Sequence, residues 1–164
     1  MILKTYPITD QLISNALKLA QQLHQELSRE ADALKKTQQA ELINNLAAHK
    51  KQLVSQLEQF NTQITQVLAT ENLPNNQESV REYFKRAETA GLQTAESIAN
   101  WAQLMTVCAK CKSLNEQNGA SIDLLSRHTK RSLDILKGKP ESANTYGSDG
   151  RAQSDRQTHT LISV

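Results

Sequence analysis

The stretch QQAELINNLAAHKKQLVSQLEQFNTQITQVLA, residues 38–69, decides the fold class. A stripe of its apolar side chains runs through Ile43, Leu46, Leu53, Leu57, Phe60, Ile64 and Val67, with Lys50 at the one charged step of the series. Alternating steps of three and four put all of them on one side of a helix, a heptad seam that a strand's alternation cannot produce. Such a seam needs a partner to cover it.

The preceding residues supply one. From Thr9 to about Lys36 a second helical stripe runs through Leu12, Ala16, Leu19, Leu23, Leu27 and Leu34, opened by Thr9 as cap and Asp10 in the first turn. The two stripes change phase near Lys36-Thr37-Gln38, which predicts a helical hairpin rather than one continuous rod. A turn centred near residue 38 sets Leu23 opposite Leu53, Leu19 opposite Leu57, Leu12 opposite Ile64 and Glu26 opposite Lys50. Apolar then meets apolar, and Glu26 with Lys50 forms a structural pair that fixes register more than it stabilises.

Downstream, Leu73-Pro74-Asn75-Asn76 stops the second helix. A short connecting helix follows from Gln77 to Ala87, with Val80, Tyr83, Phe84 and Ala87 on one side, and ends at Gly91. A third long helix is expected from a cap near Thr94 to Lys137, closed by Gly138 and Pro140. At ~1.5 Å per residue it reaches about 65 Å, against about 40 to 50 Å for the hairpin arms, so one end projects. Its stripe is Ile98, Trp101, Met105 and Cys108, then Asn115, Asn118 and Gly119, then Ile122, Leu125, Leu133 and Leu136. Asn115 and Asn118 admit two readings, buried amides that set register or a contact surface for a partner. Gly119 costs roughly 1 kcal/mol against Ala inside a helix, which calls for either close backbone approach or access for a partner.

The expected fold is therefore all-α, an antiparallel bundle of three long helices with a short connecting helix. Residues 1–137 form the helical domain and 138–164 a flexible polar C-terminal tail. Aromatics at 4% and five glycines leave little material for a sheet. A net charge of +2, with no basic cluster longer than the modest helical Arg127-His128-Thr129-Lys130-Arg131, argues against nucleic acid as partner, and no run approaches the ~18 apolar residues of a membrane span. The N-terminal Met1–Tyr6 lacks an export signal, so Cys108 and Cys111 read as reduced core thiols in a cytoplasmic protein. Their CxxC spacing has no second ligand pair for zinc and no strand-to-helix context for redox work. Four scattered histidines and no phosphate loop leave no catalytic, cofactor-binding or metal constellation, and no enzyme activity is expected.

Three pieces in order, Leu114-Asn115-Glu116-Gln117-Asn118-Gly119, then Leu133-Asp134-Ile135-Leu136-Lys137, then Thr145-Tyr146-Gly147-Ser148-Asp149-Gly150, resemble the flagellar FlgN family. The chain departs from that family's pattern at the first turn, where Lys36-Thr37-Gln38 replaces a glycine-aspartate step, and after Gly119, where Ala120-Ser121 replaces a bulky residue. The resemblance implies a cytoplasmic export chaperone for hook-associated (hook–filament junction) proteins. Such a chaperone covers their terminal helices and helps deliver them to the flagellar type III export gate or its ATPase complex. It further suggests partner contacts at Asn115, Asn118, Gly119 and Ile122, at Tyr146, Gly147, Asp149 and Gly150, and at the apolar end Leu161 and Ile162. A monomer or small dimer is expected. The alternative is a self-assembling structural or regulatory coiled coil. Against it, the third seam turns polar at Asn115, Asn118 and Gly119, where self-assembly needs it apolar.

Overall fold

A computed structural model describes residues 1–36, 40–137 and 161–164. Helix is the sole regular element among them, in four segments: α1 (Ile2–Leu34), α2 (Ala40–Thr70), α3 (Gln77–Thr89) and α4 (Ala95–Leu136). The connection 37–39 and the stretch 138–160 lie outside the described residues.

The seam from Ile43 to Val67 lies within α2, as read. Leu46, Leu57, Phe60, Ile64 and Val67 are buried, and Lys50 sits half-buried among them. The first helix differs at its start: it begins at Ile2, runs through Pro7, and holds Thr9 inside rather than at its cap. Pro7 withdraws the amide that would meet the Leu3 carbonyl, a loss confined to the first turns. Buried polar side chains hold those turns in place. Thr5 Oγ1 donates to Glu71 Oε1 at 2.7 Å, and the Tyr6 hydroxyl donates to the Gln93 carbonyl at 2.6 Å. Thr9 Oγ1 bonds the Tyr83 hydroxyl at 2.9 Å, while Tyr83 donates to Thr5 at 3.1 Å. Burial, more than any other cause, raises the Tyr83 pKa above its usual 10, which keeps the hydroxyl a donor.

Cross-helix bonds give the chain directions. Thr5 meets Glu71 and Glu30 meets Lys50, so α1 and α2 run antiparallel. Tyr6 meets Ser97, Cys111 donates to the Ala20 carbonyl and Asn118 meets Leu27, so α4 runs parallel to α1. Helix α1 thus packs along both α2 and α4. Helix α3 starts at the cap of Asn76, whose side chain accepts the Ser79 amide at 2.8 Å, and turns the buried face of Val80, Tyr83, Phe84 and Ala87 inward. It ends at Thr89, and Gly91 just beyond its cap has a φ of +82°, which suits glycine. Phe60 and Trp101 meet with ring centroids 6.4 Å apart, joining α2 to α4.

Cys108 and Cys111 are free and buried, as their spacing implied. Desolvation pushes Cys108 up to about 12, with the neighbouring Cys111 adding to it, and Cys111 to about 11. Thiolate is thus scarce near pH 8, and maleimide should react about 100-fold more slowly with the folded chain than with the chain in denaturant. Equal rates would mean that the thiols are open to solvent.

Candidate interaction surface

The site is built where α4 leaves the body. The last buried side chain of α4 is Asn118. Its Nδ2 donates to the Leu27 carbonyl at 2.9 Å and to Glu30 Oε1 at 3.0 Å. Glu30, only 1% exposed, takes Lys50 Nζ on both carboxylate oxygens at 3.1 Å. One carboxylate therefore ties α1, α2 and α4 together. The pair expected for Lys50 was Glu26; the structure gives Glu30, one turn further along, and Glu26 binds Arg29 Nη1 at 3.2 Å instead. The physical reason is the third partner. Glu30 faces inward where Asn118 adds a second donor, and the lysine's four-carbon stem reaches across the extra turn.

Asn118 is therefore a buried amide bonded across to α1, and Asn115 is half-buried one turn before it. Gly119 is exposed, and a Cβ added there meets nothing within 4 Å, so no backbone crowds it. It marks the exit of α4 from the bundle. Gly119→Ala should accordingly raise stability by up to about 1 kcal/mol, seen as a higher denaturant midpoint. A fall would point to a contact at this glycine.

Beyond Gly119, no described residue of α4 is buried through Lys137. At ~1.5 Å per residue the eighteen positions from Gly119 to Leu136 extend about 27 Å. The C-terminal end is thus the one that projects. It is not a polar rod. Ile122, Leu125, Leu133 and Leu136 are 36%, 40%, 47% and 83% exposed. At 100° per residue all four fall within about one quarter of the helix circumference. Leu124 and Ile135, also exposed, lie on the opposite side. Arg127, Lys130, Arg131 and Lys137 outnumber Asp123 and Asp134 along the same stretch. The leucines of this end could be read from the sequence; that nothing of the body covers them could not.

Tyr146, Gly147, Asp149 and Gly150 lie outside the described residues. Leu161 and Ile162 do not. They are 8% and 4% exposed and belong to the main core, bonded to Asn61 of α2 and Gln77 of α3, rather than standing free as a sticky end. Near them an open recess of about 420 Å³ between α3 and α4 is lined by Val80, Phe84, Trp101 and Met105. No cluster of three or more potential metal ligands occurs among the described residues, and no described helix is long and apolar enough to cross a membrane.

Neither individual curated proteins nor solved structures give a match to the chain. A family model described as FlgN protein matches residues 7–154, which takes in the hairpin, the projecting end of α4 and the Tyr146 motif. By the extent of that match, this chain belongs to the FlgN family of flagellar export chaperones, which bind hook-associated proteins.

Proposed function

We propose that the projecting end of α4 is where this chain holds its cargo, the amphipathic terminal helices of hook-associated flagellar proteins. The observation that carries the reading is the stripe of Ile122, Leu125, Leu133 and Leu136, continuous with a seam covered up to Asn118 and bare beyond it. A cargo helix laid along this stripe continues the bundle's own packing and hides the cargo's apolar face from other copies. The excess of arginine and lysine along this end favours cargo with acidic residues flanking its seam. Release to the export apparatus then needs no hydrolysis by the chaperone, because ordering a cargo helix opposes its own binding.

Tyr146, with Gly147, Asp149 and Gly150, supplies a second contact in this reading, toward the cargo or toward the export gate or its ATPase complex. An aromatic anchor in a small-residue segment suits such a role. The whole assignment is to a cytoplasmic, non-catalytic protein that works as a monomer or small dimer.

The test is calorimetry of the whole chain against terminal segments of the same organism's hook-associated proteins, with a Tyr146→Ala chain alongside. Binding by both means that Tyr146 is not needed for capture, as the α4 reading expects. Binding lost in Tyr146→Ala moves cargo capture to that motif. No binding by the unaltered chain removes the chaperone assignment and leaves the self-assembling coil, which sedimentation would show as a species growing with concentration.

A further inference from the structure

The chain's last residues are held by more than apolar contact. Asn61, half-buried on α2, meets both backbone groups of Ile162: its Nδ2 donates to the Ile162 carbonyl at 3.1 Å and its Oδ1 accepts the Ile162 amide at 3.2 Å. Gln77, the first residue of α3, donates from Nε2 to the Leu161 carbonyl at 3.2 Å and to Met105 Sδ at 3.4 Å. Only one orientation of the Asn61 amide satisfies an N–H and a C=O at once, so the chemistry fixes it. A side-chain amide used in this way stands in for the neighbouring strand of a sheet, which also exchanges both bonds with one residue.

Recognition of this kind reads the backbone of an extended peptide and leaves side-chain choice to the surface beneath. That surface is apolar. Leu161 and Ile162 are buried there, whereas Ser163 is exposed and Val164 only partly covered. The seat shares Gln77 and Met105 with the recess that runs on to Val80, Phe84 and Trp101. Two buried side chains and three hydrogen bonds make a small contact, of the strength that a tether sustains and a dilute free peptide does not.

We propose that Asn61 and Gln77 form a binding seat for a short extended apolar peptide, and that Leu161–Ile162 of the same molecule is its resident occupant, docked reversibly in cis. This inference does not depend on what the projecting end of α4 binds.

The experiment empties the seat within the full-length chain by Leu161→Ser with Ile162→Ser, and titrates in a synthetic peptide of residues 156–164. The Asn61 side-chain amide and the Trp101 indole are followed by NMR. Trp101 is the only tryptophan in the chain, one helical turn from Met105. The expected result is peptide binding with a Kd of about 1 mM or tighter. The unaltered chain should bind at least about 10-fold more weakly, because its seat is already filled. Adding Asn61→Ala to the emptied chain should abolish binding. No binding by the emptied chain, equal binding by the unaltered chain, or binding that survives Asn61→Ala each overturns the proposal. Should the emptied chain fail to fold, Asn61→Ala alone in the unaltered chain decides it: the Ile162 amide resonance must move to the position of a free peptide. An Ile162 signal that shifts with protein concentration would mean that the occupant comes from a second copy, which also overturns docking in cis.

Discussion

A chain carrying Leu125→Ser and Leu133→Ser is expected to lose cargo affinity by about 30- to 100-fold, a change of about 2–3 kcal/mol, while melting where the unaltered chain melts. Both halves of this expectation rest on the exposure of the two side chains. Both leucines keep 40% or more of their surface in water, so the folded body loses little when they become polar. A cargo helix that lies on the stripe loses two anchors from the middle of its contact. Calorimetry reads the first half and thermal unfolding the second. Unchanged affinity would sink the placement of cargo on α4. A lower melting temperature would show that the stripe supports the fold itself.

The second large effect concerns the polar tie at the end of the bundle. Lys50→Met should destabilise the chain by about 3 kcal/mol, at the lower end for a broken buried pair because Lys50 itself is 22% exposed. Helix α1 would then bury a carboxylate whose one remaining partner is Asn118. In a domain of this size that is a fall in Tm of roughly 10 °C. Adding Glu30→Gln to the Lys50→Met chain should recover most of the loss, since a neutral amide still bonds Asn118 and leaves no charge behind. Glu26→Gln should do almost nothing by comparison. A loss under about 1 kcal/mol for Lys50→Met would mean that the pair behaves like an exposed one.

Much of this was legible in the order of residues, and the parts that were not share a physical cause. The α2 seam, the start of α4 near Thr94, the stop at Leu73-Pro74 and the end of α4 are local signals, written in a few consecutive residues, whereas the cap at Asn76 was not read from them. Where α1 begins is not local. Thr5, Tyr6 and Thr9 carry no apolar pattern and become core only when Glu71, Tyr83, Gln93 and Ser97 arrive from other helices. The choice of Glu30 over Glu26 likewise turns on Asn118, a third party that no pairwise alignment of two helices contains. Caps gave the length of α4 but not its offset against α1, so the projecting end stayed open until their parallel direction was seen. The seat for Leu161 and Ile162 is made of one asparagine and one glutamine in a chain rich in both, and such a pair leaves no pattern to find.

The uncovered end of α4 has one further consequence. A free segment of its length is barely helical in water, because the first turn is costly to start and short helices gain little from lengthening. Here the starting turn is supplied. Residues 95–118 are clamped in the body, and everything after Gly119 only propagates a helix that already exists. The bundle thus acts as a nucleus, and the far end frays and reforms by single residues rather than all at once. Amide protons should exchange progressively faster from Ala120 toward Leu136. A helix laid against Leu125 and Leu133 would slow them in the same order, so that how far the helix reaches becomes itself a measure of what the chain is carrying.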